Sequence, residues 1–231
     1  MRSGVDHIVG VYAIADDAPG RRNDLRSVAS AALAAGARVI QLRLKHTCDG
    51  DALAVAEALL PEVHRAGALL IVNDRLDIAV LAGADGIHLG TDDLPPEQIP
   101  PALRARLLVG LSTHTAEQVE ASCSRPVDYI GFGPVFGTTS KQSEYDPRGL
   151  VLLEQAVGIS ARPVVAIGGI GLAEIEAVAA AGAAAAAVIG AIADANDPRA
   201  AAAGLAAGFG AGQRSRAAAA TPTPRPRSLE R

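Results

Sequence analysis

Aromatic side chains are scarce in this chain: three Phe, three Tyr and no Trp among 231 residues. Its core must therefore be filled by Val, Ile, Leu and Ala on closely packed helices and strands, and a hydrophobic content of 49% is enough to do so. Cysteine is nearly absent too. Cys48 and Cys123 lie far apart with no CxxC spacing, which excludes a zinc site and a disulfide framework and leaves two free thiols. No apolar run approaches the ~18 residues of a membrane span, and residues 1–7 are too short and polar for a signal peptide. A cytoplasmic protein with no membrane partner is expected.

Lysine is the third shortage. Of 21 basic residues nineteen are Arg, and the two Lys are Lys45 and Lys141, both at loop positions. A Lys brings a compact point charge to a phosphate where Arg brings a planar fork, so these two positions are candidates for contacting phosphate. The formal net charge of −4 is also unevenly spread. Residues 211–231 hold five Arg and one Glu, net +4, which leaves −8 on residues 1–210. An acidic body argues against nucleic acid as a partner.

What the chain does have is one repeating pattern: a short apolar run, a polar loop, then a helical stretch. Strands are expected at residues 8–14, 38–42, 69–72, 86–89, 107–111, 128–131, 163–167 and 185–189. Helices are expected between them at 23–35, 51–66 (disturbed at Pro61), 75–82, near 97–106, 116–122, near 150–157, 172–181 and from about 198. Gly-Ala pairs at 36, 67, 83 and 182 read as helix C-caps before strands. Eight β/α units within residues 1–210 point to an α/β fold, a single (β/α)8 barrel. An open doubly wound sheet would want a glycine fingerprint after the first strand, and Ala15-Asp16-Asp17 is not one. Residues 208–231, with AAAA and TPTPRPR, read as a disordered basic tail, its domain boundary set at 211.

Active sites of such barrels form at the C-terminal strand ends. Those ends carry Gln41, Arg43 and Lys45; Asn73, Asp74 and Asp93; Ser112 and His114; Thr138 to Lys141; Gly168-Gly169; and Gly190. Any one Asp there is explained as a helix cap. Together, two carboxylates on adjacent strands with Arg43 and the two Lys describe a magnesium–diphosphate site. Bare glycine N–H groups at 168–169 and 190 suit a second phosphate. Asp92 is expected as a turn residue, His88 as an interior residue, and neither His88 nor His114 as the catalytic base.

These segments resemble the thiamine phosphate synthases. The resemblance is carried by QLRLK (41–45), VNDR (72–75), GIHLGTDDLP (86–95), GLSTH (110–114), DYIGFGPVFGTTSK (128–141), AIGGI (166–170) and VIGAI (188–192). It implies a TIM barrel that joins 4-amino-2-methyl-5-hydroxymethylpyrimidine diphosphate to 4-methyl-5-(2-phosphoethyl)thiazole or its carboxylate, releasing diphosphate. It further implies that Gln41, Leu42, Arg43, Leu44, Lys45, Asn73, Ser112 and Lys141 bind the pyrimidine diphosphate, with Arg43, Lys45 and Lys141 acting in catalysis. Asp74 and Asp93 would hold Mg²⁺, and Thr138, Thr139, Ser140, Gly169, Ile189 and Gly190 would hold the thiazole phosphate. The chain departs from the family pattern at Gly137, Ser140 and Gly190, the last removing a hydroxyl from the phosphate set. Two alternatives remain: a thiazole tautomerase on the same barrel, which needs no metal–diphosphate site, and a barrel that only binds a phosphorylated ligand.

Overall fold

The protein is described by a computed structural model over residues 4–138 and 145–220. Eight parallel strands pair in chain order and close on themselves. They are β1 (Gly10–Asp16), β2 (Val39–Arg43), β3 (Leu69–Asn73), β4 (Gly86–Leu89), β5 (Leu108–Thr113), β6 (Tyr129–Phe132), β7 (Val164–Ile167) and β8 (Ala185–Val188). Closure is made by β1 against β8, with Tyr12 opposite Ala187. The helices are α1 (Leu25–Ala34), α2 (Asp49–Arg65), α3 (Leu76–Leu81), α4 (Pro101–Arg104), α5 (Ala116–Ser122), α6 (Gly149–Ile159), α7 (Ile175–Ala180), α8 (Gly190–Ala193) and α9 (Pro198–Ala220). This is the (β/α)8 barrel that the repeating pattern implies.

Strand side chains alternate between two apolar layers. Tyr12, Ile14, Val39, Ile71, Tyr129, Val165, Ala185 and Ala187 pack inside the barrel, with Ile8 among them. Val11, Ala13, Ile40, Leu42, Leu70, Val72, Ile87 and Ile130 face the helices instead. Burial on both faces explains why the strands read as continuous apolar runs rather than as alternating ones. The scarcity of aromatics has a counterpart in packing, since much of the helix-facing layer is Ala, at Ala29, Ala32, Ala56, Ala79 and Ala202.

Four local expectations are revised. Pro61 leaves α2 unbroken. The bond it removes is to the carbonyl of Glu57, and both residues are exposed, so water takes the place of the lost donor. The stretch near 97–106 splits into one 3-10 turn, Pro96–Gln98, and the short α4, because Pro100 holds Ile99 extended. Helix α7 starts late, at Ile175, after a turn in which the Glu174 carboxylate accepts the Gly171 N–H at 3.0 Å. The tail expected from 208, with its boundary at 211, begins too early: α9 runs through Ala220. The sequence from Ala206 to Ala220 is rich in Ala, the best helix former, and Phe209 and Gly212 are buried against the barrel. Residues 221–231 lie outside the described part.

The N-terminal ends of two strands are tied by acids, one buried and one half-buried. Asp128, whose side chain is 8% exposed, accepts the Val109 N–H at 2.8 Å and pairs with Arg104 at 2.9 Å. Asp85 does the same for the Leu70 N–H at 2.8 Å. Replacing Asp128→Ala is expected to lower stability by about 2–3 kcal/mol, the range for hydrogen bonds to a charged group, read as a lower urea midpoint at unchanged slope. Ending the chain at residue 210 removes the bond from Arg216 to the Ala180 carbonyl, 3.1 Å, and the Gly212 packing. A melting temperature lower by roughly 2–8 °C is expected, corresponding to about 1–2 kcal/mol; an unchanged value would mean that residues 211–220 are not part of the folded unit.

Candidate active site

A cavity of about 700 Å³ opens at the C-terminal strand ends. Its floor is set by the inward-facing strand positions. Gln41 donates its amide N–H to the Tyr12 hydroxyl at 2.9 Å, and the Tyr12 and Tyr129 hydroxyls lie 2.8 Å apart. His88 continues the chain, with Nδ1 at 3.2 Å from the Tyr129 hydroxyl and Nε2 at 3.0 Å from Ser112 Oγ. Burial, opposed in part by these hydrogen bonds, holds the Tyr12 phenol above its ordinary value; burial and then the Tyr12 neighbour do the same for Tyr129. Both stay neutral. The floor is thus a line of donors and acceptors running from Gln41 to Ser112. It admits His88 only because position 110 is glycine: a Cβ there would lie 2.5 Å from His88 Nδ1 and 2.2 Å from the Tyr129 ring.

Above the floor, the charged groups gather at the ends of β2, β3 and β4. Arg43 lines the cavity and donates from Nη1 to Asp16 Oδ1 at 2.6 Å. Lys45 and Asp74 form an ion pair. Asp74 is the one described non-glycine residue with positive φ, at 62°. Its N–H is bonded to the His88 carbonyl at 2.8 Å, which fixes the β3 end onto β4. Strain of about 1–3 kcal/mol at such a residue is a feature of functional sites. Asp93 lies beside Asp74. Burial, then the Asp74 carboxylate, push the Asp93 carboxyl above its ordinary value, against the opposing Gly90 N–H and Lys45 charge. Asp93 also does a turn's work, accepting the Gly90 N–H at 2.6 Å.

Two adjacent oxygen-donor carboxylates suit a hard divalent cation that takes its remaining ligands from phosphate and water. No group of three or more His, Cys, Asp or Glu able to hold an ion alone occurs among the described residues, so such a cation would depend on the ligand it binds with. The donor set fits Mg²⁺. Asp92 is a turn residue, as read from sequence, and it also lines the cavity.

The opposite wall carries Thr138, Gly169, Ile189 and Gly190, all facing the same cavity. Gly168 and Gly169 have φ of 101° and 63°, and a Cβ on Gly169 would lie 2.3 Å from the Gly137 carbonyl oxygen. Their glycine identity is therefore required by the backbone alone, with or without a ligand. Glu174 stands on this wall as well, an acid that the sequence reading did not single out. His114 donates from Nδ1 to the Gly133 carbonyl at 2.6 Å and stacks on Tyr145 at 4.3 Å. With Nδ1 committed, it is a packed ring at the rim.

Of the residues expected at the site, Gln41, Arg43, Asn73, Ser112, Thr138, Gly169, Ile189 and Gly190 line the one cavity. Lys45, Asp74 and Asp93 form the charged cluster that continues from Arg43 and Asn73. Leu42 is fully buried in the helix-facing layer and Leu44 packs against the same layer, so neither side chain lines the cavity and any contact they make there is through backbone. For Leu42 strand parity carries that information, because Gln41 and Arg43 point inward and the residue between them cannot. Thr139, Ser140 and Lys141 lie outside the described residues. Tyr12 and Tyr129 were missed. Their signal was available as inward strand positions holding two of only three tyrosines. A smaller cavity of about 390 Å³ lies at the other end, by Leu69 and Leu108 at the starts of β3 and β5, away from these groups.

Comparison with known proteins gives a consistent result. The family model described as thiamine monophosphate synthase matches residues 11–192. A thiamine-phosphate synthase of Anaeromyxobacter dehalogenans is 46% identical over 169 residues, 73% of each chain. One of Roseiflexus sp. is 40% identical over 168 residues, 73% of this chain and 71% of that one. The solved structure of the thiamine phosphate pyrophosphorylase of Pyrococcus furiosus superposes with a TM-score of 0.80 at 30% identity, covering 90% of this chain and 99% of that one. A 3-hexulose-6-phosphate synthase, at 21% identity and a TM-score of 0.58, shares the fold. On the family match and these identities, the chain belongs to the thiamine monophosphate synthase family of transferases.

Proposed function

We propose that this enzyme couples 4-amino-2-methyl-5-hydroxymethylpyrimidine diphosphate with 4-methyl-5-(2-phosphoethyl)thiazole or its carboxylate, giving thiamine phosphate and diphosphate. The observation that carries the reading is the cluster of Lys45, Asp74 and Asp93 beside Arg43, at the mouth of a cavity with a hydrogen-bonded polar floor. The floor suits a neutral heteroaromatic ring with both donors and acceptors: Gln41 and Ser112 meet its edge, and Tyr12, Tyr129 and His88 hold those two in place. The diphosphate then projects toward Arg43, Asn73 and Lys45. Thr138, Gly169, Ile189 and Gly190 receive the thiazole phosphate through backbone N–H groups and one hydroxyl. Glu174 on that wall restricts where an anion can sit.

The chemistry asked of the protein is mainly electrostatic. The C–O bond to the diphosphate breaks with its electron pair on oxygen, and Arg43 and Lys45, together with Lys141, neutralise the charge that grows there. Asp74 and Asp93 would hold Mg²⁺, which when bound adds positive charge against the leaving diphosphate. The pyrimidine cation left behind is delocalised by its own amino group. The thiazole nitrogen captures it with a lone pair already present, so no general base is needed. That agrees with His88 and His114 both being committed to other partners. A thiazole isomerase on this barrel has no use for the Asp74–Asp93 pair.

Two measurements test the reading. Purified protein mixed with Mg²⁺ and both substrates should yield thiamine phosphate by mass spectrometry, and no product with the metal omitted; absence of product in the complete mixture contradicts the assignment. Asp74→Asn and Asp93→Asn are each expected to lower turnover at least about 10²-fold, because the leaving charge is left unscreened. Near-normal rates in both variants would rule out their role as metal ligands.

A further inference from the structure

The end of β1 carries two consecutive acids, Asp16 and Asp17, and each is committed to the loop after β2. Register pairs Asp16 directly with Arg43. The Asp16 side chain is fully buried, and its two oxygens are divided: Oδ1 accepts Arg43 Nη1 at 2.6 Å, while Oδ2 accepts Arg21 Nη2 at 2.8 Å and Nε at 3.2 Å. Arg21 is held in turn by Asp194, 2.7 Å away at the end of α8. Asp17 acts on backbone. Its Oδ1 accepts the Lys45 N–H, and its Oδ2 accepts the N–H groups of His46 and Thr47 and the Thr47 hydroxyl, all at 2.8 Å. The Asp17 N–H itself donates to the Arg43 carbonyl at 3.2 Å.

We infer that Asp16 and Asp17 are positioning residues for the diphosphate, the first fixing the Arg43 guanidinium and the second fixing the loop from which Lys45 projects. The inference rests on the proposed function for the identity of that anion. Arg and Lys are the side chains with the most rotamer freedom to lose on binding, and holding them in advance removes part of that loss from the binding step. Asp16 takes one N–H of Arg43 and leaves the others for a ligand in the cavity that Arg43 lines. Burial alone would raise the Asp17 carboxyl, but its donors from Lys45, His46 and Thr47 hold it below the ordinary value, so it stays an anion able to accept all four bonds. A purely architectural role would tie the β1 and β2 loops together without regard to which residues carry the cations. Here one tie ends on the Arg43 guanidinium and the other on the backbone N–H of Lys45 itself.

The test is a steady-state analysis of the full chain with Mg²⁺ and both substrates varied in turn, on wild type, Asp17→Asn and the milder Thr47→Val. Asp17→Asn is expected to raise the KM for the pyrimidine diphosphate about tenfold or more while leaving the KM for the thiazole phosphate within about twofold. Thr47→Val, which removes one of the four bonds, should move the same constant in the same direction by about two- to threefold, and it decides the matter if Asp17→Asn does not fold. An unchanged KM for the pyrimidine diphosphate in a folded variant overturns the inference. So does an equal rise in both constants, which is what a general loosening of the barrel mouth gives. A wild type that makes no thiamine phosphate overturns the functional reading instead, and is seen before any variant is compared.

Discussion

Two carboxylates held side by side, Asp74 and Asp93, set the electrostatics of the strand ends. Their mutual repulsion and partial burial raise the proton affinity of Asp93, and it has to be balanced by positive charge nearby. The chain meets that need in layers: Lys45 sits on Asp74, Arg43 comes next along the β2 end, and Arg43 is itself tethered by Asp16. Signs alternate from β1 to β3, where Asp74 meets the second carboxylate, Asp93. The backbone supports the arrangement at some expense, because Asp74 is held at φ 62° by its N–H bond to the β4 carbonyl. A left-handed non-glycine residue persists where its surroundings over-determine it, and it marks a place where side-chain direction matters more than local comfort.

The barrel beneath makes this affordable by keeping position and chemistry separate. Helix-facing strand positions are apolar without exception along β2 to β4, at Ile40, Leu42, Leu70, Val72, Ile87 and Leu89. Inward positions are apolar low in the barrel, at Val39 and Ile71, and polar higher up, at Gln41, Asn73, His88 and Ser112. Polar groups so deep need partners, and they find them in one line through Tyr12 and Tyr129. Two acids at the other end, the half-buried Asp85 and the buried Asp128, tie strand N–H groups and take no part in the cavity.

Much of this was legible in the sequence. Eight apolar runs with Gly-Ala caps fixed the barrel and the order of its strands, and the motifs at the strand ends marked one face of it. What stayed hidden depended on geometry that residue types do not encode. The positive φ of Asp74 is invisible in VNDR. Asp16 and Asp17 were noticed only as a missing glycine fingerprint, because their partners lie 27 to 30 residues away. The glycines at 168–169 suggested phosphate, yet packing against Pro134–Gly137 accounts for them without one. The outward turn of Leu42 was recoverable from period-two parity. The start of the tail was misjudged by composition: AAAA looked like low complexity, but Ala favours helix and Phe209 gave that helix a buried face as far as Ala220.

The central claim is that one anion site is assembled from Arg43, Lys45 and a cation shared by Asp74 and Asp93. Isothermal titration of inorganic diphosphate into the protein, with Mg²⁺ present and then with Mg²⁺ removed by a chelator, tests it most directly. The account predicts saturable one-to-one binding with the metal and a large loss of affinity without it. Equal affinity in the two titrations would contradict it, and would assign the diphosphate to the cationic side chains alone.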